Sequence, residues 1–119
     1  MQITTTWPEK GTFNLTEDIY SETIRHLIEG FDSEDLAKQY WLEIPTVFIH
    51  LTADDNHSTF RTATDEVQVQ LQFALDYPEF VVPIGDDYQL ALAVFSDEGS
   101  GIYLLIHNDS PLRQELADV

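Results

Sequence analysis

The chain has 119 residues, and 43% of them are hydrophobic, which is enough apolar material for one continuous core in a single domain spanning residues 1–119. Its 22 acidic and 5 Lys or Arg side chains give a formal net charge of −17 at pH 7, a field that repels nucleic acid and anionic membrane surfaces. The absence of cysteine excludes disulfides, thiolate metal sites and cysteine nucleophiles.

The N-terminal segment, MQITTTWPEK, has neither a basic leader nor an apolar stretch, and the apolar runs of the chain are too short to span a bilayer. A cytoplasmic protein without a membrane segment is therefore expected.

The first predicted element is an amphipathic helix over residues 16–31. The helix has acids in its first turn, Gly30 near its end and either Asn14 or Thr16 as its cap. Its apolar residues recur at helical spacing: Ile19, Tyr20, Ile24, Leu27, Ile28 and Phe31.

A second helix and a first strand follow. Ser33 is placed to cap the helix EDLAKQYWLE, and Pro45 ends it. Residues 46–51, TVFIHL, are β-branched and aromatic, which is typical of a strand. The polar segment TADDNHST, residues 52–59, is predicted to be a loop.

Residues 66–75, EVQVQLQFAL, permit two interpretations. Apolar residues alternate with Gln or Ala over five apolar positions, which favours a strand with one solvated face. The competing interpretation is a helix that begins at Thr64. Because a helix would distribute these apolar residues around its circumference, the strand is the prediction.

The remaining pattern predicts a sheet. Residues 80–84 form an edge strand that contains Pro83, residues 88–95 form a longer strand, and residues 102–107 return as its hairpin partner after the turn SDEGSG. Ser110 and Pro111 open a short C-terminal helix. The predicted fold class is α+β, with two N-terminal helices packed on a mainly antiparallel sheet.

The balance of acidic and basic residues differs along the chain. The 51 residues from 62 to 112 contain nine Asp or Glu and no Lys or Arg. If the strands form a meander, Asp65, Glu66, Asp86 and Asp87 lie on one rim of the sheet. Asp76, Glu79, Asp97 and Glu98 then lie on the other rim.

Such carboxylates can replace the phosphates that a basic DNA-binding protein recognises. Arg and Lys donate charge-assisted hydrogen bonds to carboxylates, and Arg binds them bidentately as it binds a phosphate. Tyr77 is the preferred aromatic anchor, because a predicted turn exposes it among acids. The predicted partner-binding carboxylates are Asp54, Asp55, Asp65, Glu66, Asp76, Glu79, Asp86, Asp87, Asp97 and Glu98.

The charged residues also permit other interpretations. Asp is common in turns, and a halophilic protein would show the same excess of acids. His50, Asp54, Asp55 and His57 form a His and Asp cluster that fits no trusted metal motif, and an EF-hand beginning at Asp54 has Thr59 where Gly is needed. His50 is expected to pack inside or at an edge. No catalytic motif stands out, so neither an enzyme nor a cofactor is predicted.

In length, acidity and paired acids such as Asp86 with Asp87 and Asp97 with Glu98, the chain resembles the small bacterial DNA-mimic proteins. The resemblance is to the Neisseria type that targets the histone-like protein HU. It implies binding to a basic DNA-binding protein in competition with DNA, without catalysis or cofactor. A monomer is expected, and the negative charge predicts no direct contact with nucleic acid. The alternative is an immunity protein whose carboxylates cover the cationic cleft of a nuclease toxin.

Overall fold

The computed structural model describes residues 1–11, 13–95 and 100–118. Five strands form one sheet in the order β1-β2-β5-β4-β3. β2 and β5 are parallel, and the other three neighbouring pairs are antiparallel. The strands are β1 (Gln2–Thr4), β2 (Thr46–Leu51), β3 (Phe80–Ile84), β4 (Tyr88–Phe95) and β5 (Ser100–His107). The predicted α+β class with a mainly antiparallel sheet is confirmed.

Two helices and the N-terminal segment cover one face of the sheet. The helices are α1 (Glu17–Ile28) and α2 (Glu34–Glu43). Leu27 and Trp41 pack there with Phe48, Leu90 and Leu105 of the sheet. Trp41 stacks on Tyr103 with ring centroids 5.7 Å apart. Both helices were predicted, and their caps are Thr16 and Ser33, whose side chains accept backbone N–H groups of the first turn.

The opposite face of the sheet is covered by the rest of the helical structure. It comprises α3 (His57–Thr62), α4 (Asp65–Asp76) and a C-terminal 3₁₀ helix (Pro111–Glu115) capped by Ser110. Leu71 and Leu75 of α4 are fully buried in one cluster with Ala91 of β4. The sheet is therefore the middle layer of three, with a core on each side.

The central strand β5 is buried on both of its faces. Ile102, Leu104 and Ile106 lie in the core beneath α4, together with Ala93 of β4. Leu105, which alternates with them along the strand, lies in the core on the other face. Successive side chains of a strand point to opposite faces, so a strand between two helical layers needs apolar residues at consecutive positions.

The prediction of a strand over residues 66–75 is wrong, because the segment forms α4. Thr64 caps it, with its hydroxyl accepting the N–H of Val67 at 3.3 Å, and acidic residues occupy the first turn. The helix buries Leu71, Ala74 and Leu75, a spacing of three and four residues, and leaves Val69 exposed. The competing helix from Thr64 was the correct interpretation.

Two further elements differ from the predictions. Residues 57–59 of the predicted loop begin α3, because Asn56 accepts backbone N–H groups from Ser58 and Thr59 and completes a capping box. β1 was not predicted, and it pairs with β2 so that Gln2 lies opposite His50. The two-helix prediction also lacked the second helical layer, which α3 and α4 help to form.

Candidate partner-binding surface

The positions of the acidic residues are described relative to two edges of the sheet, the edges at which its strands begin and end. β2, β3 and β5 run in the same direction, as the pairing of the strands shows. We call the edge at their C-terminal ends the upper edge and the edge at their N-terminal ends the lower edge. Turns and loops at both edges carry carboxylates.

The upper edge is held together by hydrogen bonds between three loops. Asn108, which follows β5, donates its backbone N–H to the Asp87 carbonyl at 2.7 Å and its side-chain amide to the Asp86 carbonyl at 3.1 Å. Ser110 donates to the Asp55 carbonyl at 2.6 Å. The loop after β2 and the β3–β4 turn are thus both tied to the segment after β5. Of the predicted contact residues, Asp54, Asp86 and Asp87 have exposed side chains along this edge.

The β3–β4 turn is also fixed to α1. Gly85 has a φ of +59°, a backbone conformation that favours glycine. Its N–H donates to Glu22 Oε2 at 2.9 Å. The backbone that carries Asp86 and Asp87 is therefore anchored on both sides, while the two carboxylates remain exposed.

Asp55 does not belong to the exposed set, although the sequence analysis predicted it there. It is only 4% exposed, and its carboxylate lies 2.7 Å from the α-ammonium group of Met1. The same carboxylate accepts the Thr52 N–H at 2.7 Å. This second contact is local, since Thr52 and Asp55 are three residues apart. Asp55 organises the loop and is not available to a partner.

The lower edge carries a different set of acids from the one that a meander predicts. Glu66 lines a cavity of about 520 Å³ with Pro45 and Gly101, at the point where β2 and β5 begin. It therefore lies at the edge opposite Asp86 and Asp87, and the predicted rim that combined these residues is wrong.

The remaining predicted carboxylates lie at the ends of α4, just before β3 or outside the described residues, and Asp65 is the first residue of α4. Asp76 ends α4, and Glu79 precedes β3. Both side chains are exposed. The predicted contact residues Asp97 and Glu98 lie outside the described residues, as do residues 96–99 of the predicted turn SDEGSG.

Ion pairs with Lys or Arg lie on the face of the sheet that α1 and α2 cover. Lys10 is 3.3 Å from Glu17, Arg25 is 3.8 Å from Glu22, and Lys38 is 3.9 Å from Glu9. Within residues 1–11, 13–95 and 100–118, seven of the predicted contact residues are exposed and have no Lys or Arg nitrogen within 4.0 Å. These seven, which we call the unpaired carboxylates, are Asp54, Asp65, Glu66, Asp76, Glu79, Asp86 and Asp87.

A buried histidine lies behind the upper edge. His50 is 2% exposed, and burial lowers its pKa to about 4. Its Nδ1 lies 2.9 Å from Gln2 Oε1. Its ring centroid is 5.7 Å from that of Tyr88, whose pKa is raised by burial and by the Asp87 carboxylate. His50 is thus packed inside, as expected from the sequence.

Side chains of the His and Asp cluster have other partners in the structure. His57 begins α3 and lies 3.1 Å from Glu115, whereas Asp55 faces Met1. A helix over His57–Thr62 also interrupts the loop that an EF-hand would need. In the part of the chain that the structure describes, no three His, Asp or Glu side chains are grouped to hold an ion.

Sequence reasoning missed part of the exposed apolar surface. Tyr77, the predicted aromatic anchor, is 67% exposed at the C-terminal end of α4. Val69 is 65% exposed on the same helix, although the predicted strand buried it. The signal that would have found Val69 is its spacing of four residues from Phe73 and eight from Tyr77, which places all three on one side of a helix.

The unpaired carboxylates lie at several separated points of the surface. Each of them can accept charge-assisted hydrogen bonds from cationic side chains. Across the described residues, no helix is long and apolar enough to cross a membrane. Comparison with known proteins found no matching family model, curated protein or solved structure.

Proposed function

We propose that this protein binds the DNA-binding surface of a basic protein, such as the histone-like protein HU, and thereby competes with DNA. One observation supports the proposal above all. The seven unpaired carboxylates have no Lys or Arg partner among the described residues, whereas the ion pairs that Lys and Arg form there lie on the α1 and α2 side of the sheet. A cationic surface that normally binds phosphates would supply the missing partners.

The upper edge provides fixed points for such a contact. Asp86 and Asp87 stand on a turn that Asn108 and Glu22 hold through backbone hydrogen bonds. A carboxylate held by a rigid backbone loses less conformational entropy on binding than one on a mobile tail. This fixed backbone supports the proposal, because it lowers the entropic cost of binding.

The test is competition between this protein and DNA for purified HU. A labelled DNA duplex is bound to HU at 0.05 M NaCl, and the protein is then titrated in while fluorescence anisotropy is recorded. We expect displacement of the DNA, and less displacement as salt rises, because screening weakens exposed charge pairs. Failure to displace DNA at 0.05 M NaCl would contradict the proposal for HU.

A charge variant identifies the surface used. In D86N/D87N, affinity for HU should fall roughly tenfold, since two interfacial charge pairs of about 0.7 kcal/mol each correspond to that factor. The matched control is D18N/D32N, which makes the same change in net charge at two exposed acids. Equal weakening by both variants would mean that only net charge matters. A nuclease domain, used in place of HU, tests the immunity alternative in the same assay.

A further inference from the structure

We propose that the exposed side of α4 is the apolar anchor of this contact, and that the basic partner presents an apolar side chain between its cationic residues. This inference rests on the proposed function and adds the part of the surface that charge does not explain. Its core is the α4 stripe, defined as Val69, Phe73 and Tyr77.

The α4 stripe is exposed at both ends and fixed in the middle. Val69 is 65% and Tyr77 is 67% exposed. Phe73 is partly buried and stacks on Phe95 with ring centroids 4.1 Å apart, and its ring lies 5.5 Å from that of Tyr77. At 1.5 Å per residue the stripe extends for about 12 Å along the helix. Rigid aromatic side chains of this kind contribute strongly to interfaces.

Charge identifies the occupant of this face. Asp65 and Glu66 lie at the N-terminal end of α4, Asp76 lies at its C-terminal end, and Glu79 follows closely. None of the four has a Lys or Arg nitrogen within 4.0 Å among the described residues. An apolar stripe between carboxylates complements an apolar side chain between Lys or Arg residues.

A second copy of this chain fits the stripe poorly. Each copy carries a net charge of −17, and contact through α4 would bring both sets of carboxylates together. Like charges placed together across an interface are unfavourable. The basic protein is therefore the occupant that we propose.

The experiment measures the affinity of full-length variants for purified HU at 0.05, 0.15 and 0.5 M NaCl. V69S/Y77S removes the two exposed ends of the stripe. We expect roughly tenfold weaker binding at every salt concentration, because apolar contacts are not screened by salt. D86N/D87N should instead reduce the dependence of affinity on salt. The matched control is L36S/Y40S, which changes two exposed apolar residues of α2 on the other side of the sheet.

The outcomes separate the two proposals. If HU binds the wild-type protein and V69S/Y77S equally well, the role of the α4 stripe is refuted and the proposed function stands. If the wild-type protein does not bind HU at 0.05 M NaCl, both proposals fail for this partner. Sedimentation velocity of the wild-type protein and V69S/Y77S covers the third case, since a dimer lost only in the variant would make the stripe a self-association surface and refute its assignment to a basic partner.

Discussion

His50 shows how a single buried side chain makes folding sensitive to pH. Burial lowers its folded-state pKa to about 4 from the usual 6.5, so the folded protein holds a neutral ring between these values. As pH falls, the unfolded chain binds a proton there first. The contribution of His50 to the free energy of unfolding is therefore fully present above pH 6.5 and is lost as pH falls toward 4.

We predict that H50F removes this sensitivity. Relative to H50F, the wild-type protein should lose up to about 3 kcal/mol of unfolding free energy between pH 7 and pH 4, at about 1.4 kcal/mol per pKa unit. Phe suits the site because Phe13 and Tyr88 already pack around the ring. Urea denaturation at a series of pH values measures the difference. Parallel curves for the two proteins would contradict the prediction.

At the scale of the element, substitutions at Leu71 and Val69 test whether residues 65–76 form a helix. Leu71 is fully buried, whereas Val69 is 65% exposed. We predict that L71A lowers the unfolding free energy by about 2–5 kcal/mol, whereas V69A changes it by no more than about 0.5 kcal/mol. In a strand these residues would share one face and respond alike. Urea denaturation of both variants decides between the two structures, and equal losses would contradict the helix.

The error at α4 has a physical cause. Alternating Val, Leu and Phe residues satisfy the strand pattern over a short window, but Thr64 supplies a cap and Asp65 and Glu66 a favourable first turn. Packing of Leu71 and Leu75 on the sheet then stabilises the helix. Elements with a clear local signal, such as α1, α2 and β4, were predictable. The parallel pairing of β2 with β5 was not, because it depends on contacts distant in sequence.

Only part of the candidate surface was predictable from the sequence. The sequence identified the segment that has acids but no Lys or Arg, and its turn residues Asp86 and Asp87 are exposed. It could not show that Asp55 is buried, since that depends on Met1 and Ser110, which are distant in sequence. The positions of Glu66 and Val69 required knowledge that their segment is helical.

At the scale of the whole molecule, the net charge of −17 predicts that stability depends on salt. The radius of gyration is 13.4 Å, so the carboxylates of a folded chain repel one another over distances comparable to the Debye length of about 10 Å at 0.1 M salt. We predict that raising NaCl from 0.05 to 0.5 M increases the free energy of unfolding by on the order of 1 kcal/mol, because screening relieves this repulsion more in the compact state.

Urea denaturation at pH 7 and at pH 4 separates charge screening from other effects of salt. Near pH 4 many carboxylates are protonated, since Asp and Glu have ordinary pKa values of about 3.9 and 4.3, and the salt effect should shrink. An equal effect at both pH values would contradict the electrostatic explanation. A protein that is unfolded at 0.05 M NaCl and folds only at molar salt would instead indicate halophilic adaptation. Its carboxylates would then serve hydration, and the case for a cationic partner would lose its main support.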